Sequence, residues 1–316
     1  MSFPFFPTAA STTATQVDHL YFFLLGLSVF VLAIVFLPMI YFLFKYRRGK
    51  KADRKPLETS TLKIELTWTL IPLFIAMGLF AWGADVYFYQ EVPPAGTLDI
   101  NVVGKQWMWK IQHQEGNREI NELHIPINRD VKLTLASEDV IHSFFIPAFR
   151  VKQDVVPGRF TTEWFRATRT GAYRFYCSEY CGADHAKMRG MVYVMTPAKY
   201  SEWLSQGAPQ NTLAQSGEKL FRELGCSGCH VNSSVVHAPP LAGLYGKMVP
   251  LRDGTFVAVD DKYIRDSILL PSSQIVAGYQ GVMPTFQGRV SEEQLLELIA
   301  YIKSIGRESP SPNPQP

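Results

Sequence analysis

The sequence predicts a membrane-anchored protein of three parts: a pair of transmembrane helices, a β-sandwich or small barrel, and a mainly helical domain. Three observations predict this order. Two long apolar runs lie near the N-terminus, about 100 residues of short β-type segments follow, and a helical pattern surrounds a C-x-x-C-H motif near the C-terminus. At 316 residues the chain is long enough for several domains, each with its own core.

The two apolar runs cover residues 20–44, which hold no charged side chain, and residues 66–83. About 20 apolar residues are enough to cross the roughly 30 Å of hydrocarbon in a bilayer. The first run is too long for a cleaved signal peptide and lacks the preceding basic segment. We therefore expect an N-terminal segment over 1–19 and a helix hairpin over 20–90, with helices at about 20–44 and 66–86.

The loop between the two predicted helices is strongly basic. Residues 45–63 hold eight Lys and Arg against two acidic residues, whereas residues 84–316 are nearly neutral, with 23 basic and 24 acidic side chains. Basic loops face the cytoplasm, so both termini and everything after Asp85 are expected outside it. A nucleic-acid binder would carry its excess charge on its folded domains. We therefore expect a lipid bilayer, and no nucleic acid, among the partners.

Between residues 98 and 195 the chain changes to short runs rich in β-branched and aromatic residues, separated by Gly, Pro, Asn and Asp. The run "DVKLTLA" alternates apolar and polar side chains, as a half-buried strand does. This pattern predicts a β-sandwich or small barrel. The domain should cover residues 91–206 and close with a short helix over 197–206, which has Pro197 near its start.

The remaining chain predicts a linker over 207–215 and a mainly helical domain over 216–308. Ser291 and Gln294 stand at capping-box spacing and predict the start of its last helix. The tail over 309–316 lacks apolar residues that could pack, which is typical of disorder.

All four cysteines occur as two close pairs, Cys177 with Cys181 and Cys226 with Cys229. Disulfides within these pairs would close only tiny loops and contribute little stability. The second pair, with His230 directly after it, forms the C-x-x-C-H haem-attachment pattern. A thioredoxin-like dithiol would need a βαβ context that this helical segment lacks. We therefore expect one covalently bound haem c, with His230 as an axial ligand.

The second axial ligand of this haem should lie far enough along the chain to return across the ring. Met283 is 53 residues after His230 and precedes a proline, whereas Met248 is 18 residues away and His237 only seven. Methionine and histidine together raise the haem potential, which suits an electron donor. We expect Met283, with Met248 and His237 as the alternatives. The segment resembles a class I cytochrome c.

The stretch "CSEYCGADHAKM" adds His185 and Met188 to the first cysteine pair. Zinc would use the cysteines and the histidine but would gain nothing from Met188. Thiolate, imidazole and thioether ligands together favour copper. Two cysteines suggest two copper ions bridged by both sulfurs, and each copper then needs terminal ligands of its own.

A further histidine ligand must come from outside this stretch. His142, in "SEDVIHSFFIP", directly follows a predicted strand and is the first candidate. His113 and His124 lie in polar, hairpin-like stretches, so we expect them to be ordinary surface histidines. His19, at the expected membrane boundary, is not expected to be a ligand, and His237 belongs with the haem segment.

From the helix hairpin to the last helix, the chain resembles subunit II of a cytochrome c oxidase of the bacterial kind with a fused cytochrome c domain. The resemblance rests on "IELTWTLIP", "GKQWMWK", "EDVIHSFFIP", "VKQDVVPGR" and "CSEYCGADHAKM". It implies a cupredoxin-like sandwich that holds a dinuclear copper centre, CuA, and an all-α class I cytochrome c domain. The CuA ligands that it implies are His142, Cys177, Glu179 through its backbone carbonyl, Cys181, His185 and Met188.

The same resemblance implies roles for other residues. The Glu179 carboxylate would approach a magnesium ion at the interface with subunit I, and Trp107 would be the aromatic residue through which electrons arrive. Met108 stands where the family often has another aromatic residue. Glu65 would lie at the mouth of a proton channel.

The expected function is therefore electron transfer from an external donor through haem c and CuA to subunit I, where oxygen is reduced to water and protons are translocated. Subunit III is a further expected partner. The expected location is the bacterial inner membrane, crossed more than once, with both metal domains in the periplasm. Two alternatives are a CuA subunit of a nitric oxide reductase and a membrane-anchored copper-delivery protein, which would have one anchor helix and a thioredoxin-like core.

Overall fold

The computed structural model describes residues 6–50, 61–207, 211–230 and 238–306. Two long helices lead into two five-stranded sheets, and a smaller helical domain follows. The helices are α1 (Thr12–Lys45), α2 (Leu62–Glu91), α3 (Pro197–Gln206), α4 (Leu213–Glu223), α5 (Ser227–His230), α6 (Asp261–Leu269) and α7 (Glu292–Ser304). Much of the basic loop, part of the linker, His237 and the predicted tail lie outside the described residues.

The strands of the first sheet are β1 (Leu98–Lys105), β2 (Met108–His113), β3 (Arg118–Ile120), β5 (Asp130–Ser137) and β8 (Thr161–Arg166), and those of the second are β4 (Glu122–Pro126), β6 (His142–Ile146), β7 (Val151–Val155), β9 (Gly171–Cys177) and β10 (Arg189–Met195). The sheets run in the orders β3-β2-β1-β5-β8 and β4-β10-β9-β6-β7. The pairs β1–β5 and β4–β10 are parallel, and the other pairs are antiparallel. The core contains the fully buried rings of Trp109, Phe144, Phe149, Phe165 and Phe175.

Both long helices extend beyond the apolar runs. Helix α1 begins at Thr12 rather than near residue 20, because Ser11 caps it by accepting a hydrogen bond from the Ala14 N–H at 2.9 Å. Helix α2 likewise spans Leu62–Glu91 rather than about 66–86. Hydropathy identifies only the part of a helix that can lie in hydrocarbon, so the more polar turns at its ends were missed.

The ends of both helices are fastened to the sandwich. Trp164 on β8 donates its indole N–H to the Tyr89 carbonyl of α2 at 3.1 Å. The Arg150 guanidinium binds the Asp18 carboxylate of α1 with two hydrogen bonds of 2.9 and 3.1 Å. Such a paired, planar contact fixes direction as well as distance. The sandwich is therefore held at a defined position on the helix pair.

The smaller domain is built around a close crossing of α4 and α7. A Cβ atom at Gly217 would lie 1.9 Å from the Glu297 carbonyl oxygen, so the crossing requires glycine. Thr212 and Gln215 form a capping box, which starts α4 at Leu213, inside the predicted linker. One short antiparallel ladder joins β11 (Met248–Pro250) to β12 (Phe256–Ala258).

Helix α7 also joins the two domains. Leu296 packs with Val103 and Ala136 of the sandwich, and Glu293 forms an ion pair with Lys110 at 3.0 Å. Arg118 on β3 forms a second ion pair with Glu297. We call this contact the α7 interface. It combines an apolar centre with charged pairs at its rim, as protein interfaces commonly do.

A second contact joins the domains at the turn between β7 and β8. Arg265 on α6 donates to the Gly158 carbonyl at 2.6 Å and lies over the Phe160 ring. The guanidinium is nearly buried and is also bound by Glu292 at 2.7 Å. The smaller domain is therefore held on the sandwich at two places.

Glu163 on β8 is buried on the core side of the sandwich without a hydrogen-bond partner among the described residues. It lies opposite Leu133 in the ladder and two residues before the core residue Phe165. Burial raises the pKa of Glu163 well above its ordinary value, and the Lys152 charge opposes this only in part. Folding therefore favours the protonated, neutral form of this side chain.

We predict that Glu163→Leu stabilises the sandwich. Removing an unsatisfied buried carboxyl should raise the free energy of unfolding by roughly 1–3 kcal/mol at neutral pH. The pKa of Glu163 is higher in the folded chain than in the unfolded chain. The free energy of unfolding therefore has its full proton-linked contribution from Glu163 below the unfolded pKa of about 4.3, and this contribution is lost as pH rises through the folded pKa. The advantage of the variant should therefore grow with pH, measured by urea unfolding with tryptophan fluorescence.

The matched control is Thr162→Val, which changes the exposed neighbouring position of β8 and should leave this pH dependence unaltered. A Glu163→Leu variant that is less stable than the parent at every pH would contradict the prediction.

Candidate metal centre

His142 begins β6 and is fully buried at one end of the sandwich. Its Nε2 atom lies 2.8 Å from the Asp139 carboxylate, which sets the direction of the ring and leaves Nδ1 facing Cys177. Burial lowers the pKa of His142, but hydrogen bonds with Cys177 and Asp139 outweigh it and raise the pKa overall. Gly104 on β1 leaves room for the ring, since a Cβ atom there would lie 2.9 Å from His142 Cδ2.

The loop between β9 and β10 brings the other predicted ligands to the same place. Cys177 ends β9 and is held at a fixed position, because β9 pairs with β6 in the ladder. The donor atoms are close neighbours around the two sulfurs. Cys177 Sγ lies 3.9 Å from His142 Nδ1, 3.2 Å from the Glu179 carbonyl oxygen and 3.8 Å from Cys181 Sγ. Cys181 Sγ in turn lies 3.5 Å from His185 Nδ1 and 3.7 Å from Met188 Sδ.

This donor set fits two copper ions. Two sulfurs lie at its centre, with one imidazole beside each, and a thioether and a carbonyl oxygen complete it. Soft thiolate and thioether ligands select copper over zinc when imidazole is also present. Cys177, Cys181 and Met188 are almost wholly buried, with 6%, 3% and 1% of their surfaces exposed. The structure thus assembles all six residues predicted for CuA at one end of the sandwich.

The two thiols differ in acidity. Burial raises the pKa of Cys177, but hydrogen bonds from His142 and from the neighbouring backbone outweigh it and lower the value to about 6. Burial and the adjacent Cys177 charge raise the pKa of Cys181. One thiolate therefore forms readily, and loss of the second proton requires a positive charge at the site, which metal ions supply.

The "GKQWMWK" segment lies against the same loop. Gln106 Nε2 and Trp107 Nε1 both donate to the Cys181 carbonyl, at 2.8 and 3.3 Å. Gly182 follows with φ of +118°, a conformation that favours glycine. The family resemblance predicts a role for Trp107 but none for Gln106 and Gly104, because their roles depend on which chain segments lie face to face.

Two other predicted site residues lie at exposed positions. Glu179 is exposed, while its carbonyl contacts Cys177. Glu65 lies in the first turn of α2, where the Thr61 hydroxyl donates to its carboxylate at 2.5 Å. An acidic side chain at a helix N-terminus is also stabilised by the helix dipole.

The residues predicted to hold haem line one cavity of about 390 Å³ in the smaller domain. The cavity wall is mostly apolar and includes Cys226, Cys229, His230, Pro239, Met283, Leu298 and Ile302. His230 Nδ1 lies 3.0 Å from the Pro239 carbonyl, which orients the imidazole and leaves Nε2 to act as a ligand. An apolar cavity with two thiols and an oriented imidazole fits a haem.

The structure separates the two candidate methionines. Met283 lines the cavity, whereas Met248 lies on β11 and is 59% exposed. Of the two candidate methionines, Met283 is therefore the one that lines the same cavity as His230. The other alternative, His237, lies outside the described residues.

The expectation that His113 and His124 are ordinary surface histidines was wrong. His113 is completely buried, and only 14% of the His124 side chain is exposed. Both bind the carboxylate of Glu119, whose importance the sequence analysis missed. Polar neighbours in sequence suggested exposure, but α3 packs over this edge of the sheet and covers it.

The comparison with known proteins decides the family. A cytochrome c oxidase subunit 2 from Alkalihalophilus pseudofirmus is 30% identical over 298 residues, which cover 88% of this chain and 85% of that protein. The chain belongs to the cytochrome c oxidase subunit 2 family.

Family models for three segments of the chain, and a second relative, agree with this oxidase family. The transmembrane and periplasmic domains of cytochrome c oxidase subunit II match residues 2–82 and 117–195, and cytochrome c matches residues 214–306. A subunit 2 from Synechocystis is 29% identical over 255 residues, covering 65% of this chain and 76% of its own. The solved periplasmic domain of subunit II from Bradyrhizobium japonicum is 32% identical, with TM-score 0.36, covering 37% of this chain and 96% of that domain.

The family establishes the broad role of the chain. It is an oxidase subunit that serves electron transport, with a membrane anchor, a periplasmic cupredoxin-like domain and a cytochrome c domain. Copper and haem are the cofactors that these two domains imply.

We predict that Met283→Leu removes the weak long-wavelength absorption band of sulfur-ligated haem iron and lowers the haem potential, because the thioether raises that potential. The matched control, Met248→Leu, should keep both the band and the potential. Visible spectra and redox titration of the purified chain provide the measurement. Survival of the band in Met283→Leu would show that another residue is the ligand.

Proposed function

We propose that this chain takes electrons from an external donor at haem c, passes them to CuA, and delivers them to subunit I of a terminal oxidase. The observation that supports this most strongly is the assembly of a six-donor copper cluster and a haem cavity in one chain of the oxidase subunit 2 family. Oxygen reduction to water, coupled to proton translocation, belongs to subunit I in this proposal.

In the cytochrome c domain, Cys226 and Cys229 would hold the porphyrin through thioether bonds, and His230 and Met283 would hold its iron. The haem supplies a one-electron carrier. The chain's contribution is to exclude water with an apolar wall and to keep His230 oriented through the Pro239 carbonyl. Burial and axial-ligand identity are the two means by which a protein sets the haem potential.

In the sandwich, the residues that would hold the two copper ions are His142, Cys177, Glu179, Cys181, His185 and Met188. The copper pair supplies an electron carrier whose charge is shared by two metals. The chain keeps the ligand positions fixed, since His142 and Cys177 belong to strands of one ladder and Asp139 orients His142. Ligands fixed in this way change little between oxidation states.

The two carriers are held together by the α7 interface. Our proposal is that electrons pass between the domains in this docked arrangement, so no diffusional encounter is needed for each transfer. Leu298 and Ile302 on the inner side of α7 line the haem cavity, while Glu293, Leu296 and Glu297 contact the sandwich. If the two domains come apart, the linker limits the distance between them, because a short tether keeps the effective concentration of one domain near the other at about mM.

The remaining roles follow the family resemblance. Trp107 receives electrons on their way to CuA, which its hydrogen bond to the Cys181 carbonyl supports. The exposed Glu179 carboxylate reaches a magnesium ion shared with subunit I, and Glu65 lies at the mouth of a proton channel. Helices α1 and α2 both span the bacterial inner membrane and pack against subunit I, with subunit III also in the complex.

The structure argues against one of the two alternative functions, and an activity measurement distinguishes the other. A copper-delivery protein was expected to have a thioredoxin-like βαβ core, and the described chain instead folds as two five-stranded sheets after two helices. A nitric oxide reductase subunit would share CuA but would not support oxygen consumption.

The decisive experiment is performed on the purified oxidase complex. Electron paramagnetic resonance should show one electron shared equally by two copper nuclei, and reduction of the haem should be followed by reduction of copper and by oxygen uptake. A spectrum from a single copper nucleus would overturn the CuA assignment. Nitric oxide consumption without oxygen uptake would favour the reductase.

We predict that Glu293→Lys slows electron transfer from haem c to CuA. The new charge would face Lys110 across the α7 interface, and a like-charge contact costs several kcal/mol. A loss of about 1.4 kcal/mol of docking free energy reduces the equilibrium constant for docking about tenfold. Where docking limits electron transfer, the rate should fall by the same factor. Flash reduction of the haem, followed by copper absorbance, measures the rate.

The matched control is Glu223→Lys, the same charge change at an exposed position of α4. It should transfer electrons at the parent rate. Equal rates in Glu293→Lys and the parent would show that transfer does not depend on the docked arrangement.

A further inference from the structure

A cluster of titratable side chains lies at the edge of the sandwich beneath α3, outside the copper and haem sites. Its centre is Glu119 on β3, whose carboxylate is almost buried. One oxygen accepts a hydrogen bond from His113 Nε2 at 2.8 Å, and the other is hydrogen-bonded to His124 Nδ1. Both oxygens of the Glu119 carboxylate therefore lie against ring nitrogens of buried or nearly buried imidazoles.

Glu122 adds a second carboxylate to this cluster. It lies two residues before His124 on β4, so the two side chains emerge on the same face of the strand. One ligand atom from each of Glu119, Glu122 and His124 lies within 4.8 Å of the other two. Glu122 is exposed, so the cluster opens to solvent on one side. Oxygen and nitrogen donors at this spacing can share a single metal ion.

The charge of the cluster favours a cation. Glu119 and Glu122 bring two negative charges, and within the described residues no Lys or Arg forms an ion pair with either. The adjacent Arg118 is instead paired with Glu297 at the α7 interface. Two carboxylates held this close repel each other, and a cation bound between them relieves this repulsion. Among the described residues, the ion-pair partners of Glu119 are the histidines His113 and His124, and Glu122 has none.

Neighbouring side chains hold the ligands in direction. His113, which binds the far oxygen of Glu119, has its Nδ1 atom 3.2 Å from the Tyr200 hydroxyl of α3. The His124 ring lies between the rings of Tyr193, at 4.7 Å, and Trp203, at 4.6 Å, and is nearly parallel to both. A carboxylate bound by an outer histidine, together with a clamped imidazole, is the kind of support found around metal ligands.

We propose that Glu119, Glu122 and His124 bind one divalent transition-metal ion, with zinc as the representative ion. Zinc accepts imidazole and carboxylate ligands at about 2.0–2.2 Å and is commonly four-coordinate, so a water molecule on the solvent side completes the site. The ion takes the place of the proton between Glu119 and His124 Nδ1. His124 then carries its proton on Nε2, so the imidazole stays neutral.

Such an ion would join β3 to β4, which are edge strands of different sheets. Trp203 and Tyr200 on α3 pack directly on the ligand His124 and on His113, and α3 leads to the cytochrome c domain. Metal binding therefore strengthens the point at which the chain leaves the sandwich. The proposal does not depend on the electron-transfer function.

The test measures zinc in the purified full chain in detergent, with copper and haem already bound. The protein is equilibrated with free zinc on the order of 1 μM, and zinc, copper and iron are counted by mass spectrometry. We expect one zinc per haem iron in the parent. Glu122→Gln, at an exposed position, should weaken zinc binding by about tenfold or more. Copper content and the copper spectrum should be unchanged, which shows that the variant is folded.

The matched control is Glu115→Gln, an exposed glutamate in the turn between β2 and β3 that should leave zinc binding intact. X-ray absorption at the zinc edge should show nitrogen and oxygen neighbours including one imidazole. The proposal is overturned by a parent that binds no zinc, by a Glu122→Gln variant that binds zinc as the parent does, or by sulfur neighbours, which would place the zinc among the cysteines.

Discussion

The pairing of β6 with β9 is the interaction on which the copper site depends. It places Phe144 opposite Cys177, so that His142, two residues away on β6, faces the Cys177 sulfur at 3.9 Å. Shifting this register by one residue would turn every side chain of the strand to the other face of the sheet. The buried rings of Phe144, Phe175 and Trp109 oppose such a shift, because each would lose its place in the core. Core packing and ligand geometry are therefore the same constraint.

Helix α7 applies a similar constraint to the haem domain. Its inner side lines the haem cavity and crosses α4 at Gly217, and its outer side carries the charged and apolar contacts of the α7 interface. One rigid element thus contacts the cofactor cavity on one side and the neighbouring domain on the other. Anything that repacks the cavity is transmitted to the domain contact, because packed helices move as units rather than deform.

Much of the fold and site could be predicted from local pattern. The two cysteine pairs, the C-x-x-C-H motif and Met188 are short-range signals, since the chemistry that they serve requires those residue types at those spacings. The strand β5 and the capping box of α7 are likewise local. The starts of α1 and α2 were misplaced because a hydropathy pattern reports hydrocarbon, whereas helix ends are set by capping groups such as Ser11.

What could not be predicted depends on contacts between distant segments. His113 and His124 seemed exposed because their sequence neighbours are polar, and only the packing of α3 covers them. Glu163 falls at a core-facing position of an otherwise regular strand, and its burial follows from the sheet opposite. The ion pairs across the α7 interface join residues more than 170 positions apart, such as Arg118 and Glu297. Periodicity carries no information about such pairs, because they share neither a helix face nor a strand.

The two buried carboxylates show how the same residue type takes opposite states in one domain. Glu119 is surrounded by imidazole N–H donors and is ionised, whereas Glu163 has no hydrogen-bond partner among the described residues and folding favours its neutral form. Burial raises the pKa of both, but only Glu119 has hydrogen bonds and neighbouring imidazole charges that outweigh it, whereas Glu163 is more deeply buried and has only the Lys152 charge. Charge is therefore retained at the edge of the sandwich, where a cation can approach from solvent past Glu122. It is suppressed in the core, where an ionised carboxylate would have no compensation.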